Sequence, residues 1–320
     1  MASDARNNTL DCLIVGGGPA GLTAAIYAAR FRLQTVVIDA GGGRAAKIPC
    51  TRNHAGFPDG ISGAELLVRM RAQALQFDAQ VRRGQVLAIE GAAGGFTARL
   101  EDGDALTARA VILATGVFNH RPDIGDDVHD LALARGLLRY CPVCDGFEVI
   151  DRAVAVIGDG ARAVKEAVFL RAYTDRLTII GAGAQADFDA TQKAELEAVG
   201  AAIIPGPAAG FHIEADRLSF DAGGRRLSFD AVYPALGSTV HSDLAAGLGA
   251  DLTGDGCIKV DAHQRTSVRG LYAAGDVVIG LDQISHAMGE AGVAATTVRN
   301  DLAEAERQLH SYRVGQLSQS

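Results

Sequence analysis

The chain has 320 residues, 48% of them hydrophobic and only 21% charged, and its 39 glycines are about one residue in eight against roughly 7% in an average protein. That length at about 100–200 residues per domain gives room for two domains with cores of their own and excludes wholesale disorder. A net charge of −8 argues against nucleic acid or an anionic membrane surface as the main partner, since either demands a basic face.

The first residues, Met1 to Asp11, are polar and carry no apolar run of the secretory kind, so a cytoplasmic chain is expected. No stretch approaches the roughly 18 consecutive apolar residues of a membrane span, and no membrane association is expected. Cys12-Leu13-Ile14-Val15 runs into Gly16-Gly17-Gly18-Pro19-Ala20-Gly21 and then into residues of helical composition, which reads as strand, tight turn and helix. Leu33 to Ile38 is a second strand and ends on Asp39, an acid about 20 residues beyond the glycines, where a ribose-binding carboxylate is needed. In this arrangement Gly16 allows the turn, Gly18 lets backbone amides approach a pyrophosphate, and Gly21 lets helix and strand pack closely.

Ser62-Gly63-Ala64-Glu65 has the form of a capping box, predicting a helix to about Phe77. Short strands around 86–89, 96–100 and 106–108 follow, separated by Gly94-Gly95 and Asp102-Gly103-Asp104, and Val111 to Leu113 closes the unit with a buried strand leading into Ala114-Thr115-Gly116. The same order then recurs. A strand over 153–157 ends in Gly158-Asp159-Gly160, a helix passes through Val164 and Leu170, a strand covers 177–180, a meander runs from Phe211 to Phe229 and a closing strand spans 231–235. The stretch from Gly270 to Asp276, and a helix from about His286 to Leu309, have no strand partner nearby and should return to the first module. The fold class expected is α/β: two Rossmann-like dinucleotide-binding modules, the second inserted in the first, each with a β-meander.

Five cysteines, an odd number with one close pair, make a poor disulfide framework. Cys141-Pro142-Val143-Cys144-Asp145-Gly146 reads instead as chemistry. At a helix start, backbone amides stabilise a thiolate and lower its pKa from about 8.5 toward about 7 or below, giving a disulfide that opens easily. Asp145 is placed to supply or accept the proton that each exchange step moves. The competing reading, half of a zinc site, lacks a second C-x-x-C or an H-x₃₋₅-H, so no metal is expected. Cys12, in a core strand, and Cys257 are expected to be inert, and Cys50 is left open.

Taken together, Gly-Gly-Gly-Pro-Ala-Gly at 16–21, Asn53 within Thr51 to Pro58, Ala114-Thr115-Gly116, Cys-x-x-Cys-Asp-Gly at 141–146, the second glycine turn, and Ala273-Ala274-Gly275-Asp276 with Asp282-Gln283-Ile284 resemble the low-molecular-weight thioredoxin reductases over nearly the whole chain. The resemblance implies a discontinuous FAD-binding domain (1–117 and 241–320), an inserted NAD(P)H-binding-like domain (118–240) carrying the redox pair, and a homodimer. It implies that Gly16, Gly18, Pro19, Ala20, Gly21, Asp39, Ala114, Thr115, Gly116 and Gly275 surround FAD, with Asp276 at the ribityl chain and Gln283 and Ile284 at the flavin ring. Asn53 would lie beside the isoalloxazine, Val86 near the adenine and Arg44 close to the phosphates. It also implies that Cys144 exchanges electrons with the flavin, that Cys141 attacks the disulfide of thioredoxin or a thioredoxin-like partner, and that Asp145 is acid and base.

One region departs from that family. NADPH-dependent members follow the second module's strand with basic residues that hold the 2′-phosphate, whereas Gly181 to Asp187 here contains none, and Asp187 would repel it. The acid that would hold the ribose of NADH is also missing, and Asp159 adds negative charge inside the turn. Compensation by Arg162 or Arg171 is the competing reading. The expected donor is therefore not NADPH but a one-electron protein such as reduced ferredoxin. The alternatives are an ordinary NADPH-dependent thioredoxin reductase, or an FAD-dependent dithiol oxidase passing electrons to oxygen. The last residues, after Leu309, read as a polar tail, with a cover over the flavin through Tyr312 as the sharper alternative.

Overall fold

The structure, a computed structural model, describes residues 9–92, 94–184 and 186–305. The C-terminal tail, Tyr312 included, lies outside the described residues. The chain forms two compact units: one takes the residues up to Ala46, Glu65–Val117 and those from Val240 onward, the other Lys47–Ala64 and Phe118–Thr239. The sequence reading put 47–64 in the first unit. They group with the second because the segment closes on itself through a Thr51–Ile61 bridge and Lys47 sits over the Phe118 ring at 5.9 Å.

The first unit opens with β1 (Thr9–Val15), α1 (Pro19–Arg30) and β2 (Thr35–Asp39), followed after a short 3-10 turn by α2 (Gly63–Gln76), which begins directly after Ser62. Then come β3 (Gln80–Arg83), β4 (Val86–Ala92), β5 (Gly95–Leu100) and β6 (Ala105–Leu113). The third meander strand and the closing strand, read as separate, are this one nine-residue strand. It pairs in parallel with β1 along one side, and on its other side with antiparallel β5 over its first half. Its second half pairs with a strand from the far end of the chain.

The chain then crosses through β7 (Val117–Asn119) into the second unit: α3 (Asp126–Ala134), the single turn α4 (Pro142–Asp145), β8 (Val154–Ile157), α5 (Gly160–Leu170), β9 (Leu177–Ile180), α6 (Ala190–Ala198) and β10 (Ala202–Ile204). A meander, β11 (Ala209–Glu214), β12 (Arg217–Ala222) and β13 (Arg225–Phe229), precedes β14 (Ala231–Pro234). The parallel sheet here has the order β10-β9-β8-β14. The sequence reading missed α3, α6 and β10; α6 has no apolar stripe, only Leu196 being buried, and is fixed instead by a capping box between Asp189 and Gln192. The chain returns through β15 (Ser238–Val240), which pairs with β7, to α7 (Asp243–Gly247), β16 (Leu271–Ala273) and α8 (Ile284–Ala305). As expected, β16 joins the first unit, pairing with β6 from Val111 to Leu113.

Both faces of each parallel sheet are covered, so the central strands are apolar throughout. In β1, Leu13 and Val15 face the core beneath the meander, while Cys12 and Ile14 pack with the alanines of α1 and α8. In β8, Ala155 and Ile157 face the second meander and Val154 and Val156 pack against α5. The small residues of α1 and α8 (Ala24, Ala25, Ala291, Ala294 and Ala295 are all buried) let the two helices lie close together against the sheet. Among the described residues no helix is long and apolar enough to cross a membrane.

Candidate active site

The first glycine turn separates two duties. A Cβ on Gly16, which has φ +109°, would collide with the Ala114 carbonyl, and one on Gly21 would collide with the Gly16 carbonyl. These two glycines let β1, α1 and the end of β6 approach each other. Gly18, the residue before Pro19 at the head of α1, faces open space, with nothing within 4 Å of a Cβ there, and α1 has no side-chain cap. The first amides of a 12-residue helix thus open onto a gap beside a residue without a side chain, the cradle a pyrophosphate needs. Asp39 closes one flank, its carboxylate against Gly17 while accepting the Gly41 N–H at 2.9 Å.

The far end of the chain delivers the other half of this site. Asp276 lies just after β16, and Arg44 Nη1 is 3.1 Å from its carboxylate and 2.8 Å from that of Asp282. Burial and Asp282 push the Asp276 carboxyl above its ordinary pKa, and Arg44 pulls it back. The turn before it is held by Glu290 of α8, which accepts the Gly275 N–H at 2.8 Å and pairs with His286 at 3.0 Å. Gln283 and Ile284 stand at the start of α8, both half-buried. Thr115 donates its hydroxyl to the His241 carbonyl at 2.6 Å, linking the end of β6 to the returning chain. Gly16, Gly18, Pro19, Ala20, Gly21, Asp39, Arg44, Ala114 to Gly116, Gly275, Asp276, Gln283 and Ile284 therefore belong to one unit. Val86 shares that unit, with its side chain buried in the meander core. Asn53 does not: it lies in the 47–64 segment, where Thr51 donates to its side-chain oxygen at 2.9 Å.

In the second unit Cys141 and Cys144 form a disulfide. Cys141 caps the turn α4, its sulfur accepting the Cys144 N–H at 3.2 Å. Asp145 follows, its carboxylate 2.9 Å from Arg139 Nη1 and accepting from the Tyr233 hydroxyl at 2.9 Å. Burial pushes its carboxyl upward, with Glu148 adding to the effect, while Arg139 and Tyr233 oppose it. Val143 of α4 and Phe147 of the 3-10 turn after it (Gly146–Val149) are both exposed, Phe147 73%, as an apolar rim beside the disulfide. Of the remaining cysteines, Cys12 is buried with its thiol pushed well up by burial and by Asp11, and Cys50 and Cys257 are half-buried. Among the described residues no group of three His, Cys, Asp or Glu side chains is arranged to hold a metal ion.

The second glycine turn differs from the first. Asp159 turns its carboxylate back onto the loop after β9, accepting the N–H groups of Ala182 at 2.9 Å and Asp187 at 3.1 Å. The Gly160 N–H donates to the Asp187 carbonyl at 3.2 Å. The amide at the head of α5 is thereby engaged by the chain itself. Arg171 caps the opposite end of α5, eleven positions on from Gly160 and about 16 Å away at 1.5 Å per residue, too far to compensate. Arg162, on the first turn of α5, is exposed and stands near Gly237, with Glu166 beside it.

Sequence reasoning missed Arg139, Tyr233 and Glu290, and quoted Asp282 within a motif without giving it a role. Tyr233 and Glu290 act through partners distant in sequence, whereas Arg139, two residues before Cys141, sat close enough to a motif to have been noticed.

The chain from residue 10 to 291 matches the family described as pyridine nucleotide-disulphide oxidoreductase. Among curated proteins, the thioredoxin reductase of Streptomyces coelicolor is 33% identical over 95% of this chain and 94% of its own length. That of Treponema pallidum is 35% identical over 83% and 88%. Among solved structures, thioredoxin reductase from Streptococcus pyogenes superposes with a TM-score of 0.85 at 29% identity, covering 93% of this chain and 99% of its own.

Proposed function

The chain belongs to the pyridine nucleotide-disulphide oxidoreductases, among their low-molecular-weight thioredoxin reductases, and we propose that it reduces the disulfide of thioredoxin or a similar protein with electrons from a donor other than NADPH. Enzymes of this family are flavin-dependent disulfide oxidoreductases, and FAD is the cofactor expected here. The first unit fits it: the open face of Gly18 and the uncapped head of α1 would take the pyrophosphate, Asp39 the adenosine ribose, and Asp276 the ribityl chain. When bound, FAD supplies a store that fills by one or two electrons and empties as a pair. Arg44 would neutralise the phosphates and, by holding Asp276, keep a buried carboxylate from being left unpaired.

The observation that carries the choice of donor is the Asp159 carboxylate bonded to the Ala182 and Asp187 amides. A nicotinamide dinucleotide seated on this turn would compete with the Asp187 carbonyl for the Gly160 N–H and bring its phosphates toward the Asp159 carboxylate. A one-electron carrier protein such as reduced ferredoxin needs no such pocket. The apolar rim of Val143 and Phe147 at the disulfide suits a partner protein with its own exposed redox cysteines. We also propose a cytoplasmic homodimer.

Anaerobic titration of the flavin absorbance tests this reading. Reduced ferredoxin is expected to bleach the flavin and, with thioredoxin present, to yield free thiols. Stoichiometric bleaching by micromolar NADPH or NADH would overturn the choice of donor. Peroxide formed from a small dithiol with no donor added would point to the oxidase instead.

A further inference from the structure

Strand β14 and the loop before Cys141 bring separate side chains to one carboxyl group beside the disulfide. The Tyr233 ring, on β14, is fully buried, and its hydroxyl donates to Asp145 Oδ1 at 2.9 Å, while Arg139 Nη1 sits 2.9 Å from Oδ2. The frames carrying them are tied together, since the Arg139 N–H donates to the Val232 carbonyl at 2.9 Å and Leu138 bridges Val232. The guanidinium is anchored again through Nε, which donates to the Gly136 carbonyl at 2.8 Å. Each Asp145 oxygen is thus held by its own donor and keeps a second lone pair for a proton.

We propose that Arg139 and Tyr233 are positioning residues for Asp145 as the proton carrier of thiol–disulfide exchange at Cys141 and Cys144. The inference rests on the disulfide-reductase reading above. In the exchange, the Cys141 thiol gives its proton to Asp145, and its thiolate bonds to one partner sulfur while the partner S–S bond breaks. Asp145 returns that proton to the departing sulfur. It then takes the Cys144 proton as the Cys144 thiolate bonds to Cys141, and the bond from Cys141 to the partner breaks. The second partner sulfur leaves with that proton, so two thiols of this chain become a disulfide and one partner disulfide becomes two thiols.

This duty requires a carboxyl that takes up a thiol proton and gives it back. The groups facing Asp145 divide accordingly. Burial and Glu148, one of whose carboxylate oxygens is buried without a hydrogen-bond partner, favour the protonated form. Arg139 and Tyr233 favour the ionised one.

The test is a single turnover of the holoenzyme, reduced with dithiothreitol, desalted under anaerobic conditions and mixed with hydroxyethyl disulfide across a pH series. The wild-type rate should fall on the acid side as Asp145 becomes protonated and can no longer take the Cys141 proton, and Asp145→Asn should lack that limb. Tyr233→Phe, which removes only the donor, should move the limb to higher pH by about one unit, and Arg139→Gln by one to three. Arg139→Lys should bring it back toward the wild-type position. A uniform loss of rate with the limb unmoved would overturn the inference alone. If Tyr233→Phe does not fold, the contrast between Arg139→Gln and Arg139→Lys decides in the same way. Reduced wild-type protein that fails to exchange at all would overturn the reductase reading and this inference with it.

Discussion

Arg44 and Asp276, 232 positions apart in sequence, meet with Nη1 3.1 Å from Oδ2. The pair joins the loop after β2 to the turn after β16, so the two ends of the chain complete one site. Arg44→Met should leave Asp276 and Asp282 facing each other without a cation. The pair is about a quarter exposed, between surface and buried ion pairs, so the cost should be about 1–2 kcal/mol, read from urea unfolding of the apoprotein. FAD affinity, read by fluorescence titration, should fall at least tenfold.

Asp159→Ala should free the loop after β9. Each lost bond to an ionised acceptor is worth about 1.5–3 kcal/mol when well formed, discounted here for exposure. Hydrogen exchange at the Ala182 and Asp187 amides should speed up by about tenfold or more, with the amides of β8 unchanged. Equal protection in the variant would show that the carboxylate does not close the loop.

Cys141 and Cys144 should differ in what their loss does. With Cys144→Ser, the nucleophile still attacks the partner but cannot be resolved, so a mixed disulfide with thioredoxin should persist on non-reducing gels. Cys141→Ser should form none. Mass spectrometry of the adduct distinguishes the two.

Asp301 ties α8 to β16, accepting from Arg265 at 2.8 and 2.7 Å and from Tyr272 at 2.7 Å. Those bonds hold its carboxyl below the ordinary pKa. A carboxylate depressed in the folded state adds stability above its unfolded pKa of about 3.9, and that stability is lost as pH falls through the folded value. Asp301→Asn should therefore lower stability by about 1–3 kcal/mol at pH 7 and by progressively less below about pH 4. Urea melts at both pH values check it.

The parts of the fold that could be read beforehand were those fixed by local chemistry. Gly16, Gly18 and Gly21 with Asp39 announced the first module because turn, amide cradle and ribose acid must fall at set spacings. Cys141 and Cys144 announced the redox pair for a similar reason. Residues that work through tertiary contact left no such trace. Tyr233 reads as an ordinary strand residue until β14 places its hydroxyl on Asp145, and Arg44 reads as a phosphate ligand until Asp276 and Asp282 close on it. The second module shows both cases at once. The acid in its turn was legible as misplaced charge, whereas the bonds it makes to Ala182 and Asp187 required the loop to be seen.

The docking of β16 onto β6 also sets an order for biosynthesis. All strands of the parallel sheet and meander of the second unit have emerged by Pro234, and that unit can close while the ribosome is still adding residues. The first unit cannot: its sheet waits for Leu271–Ala273, and Asp276, Gln283 and Glu290 follow later still. Capture of the FAD proposed above would therefore be a closing event of synthesis, and a nascent chain stalled before Leu271 would carry the Cys141–Cys144 loop without a completed first sheet.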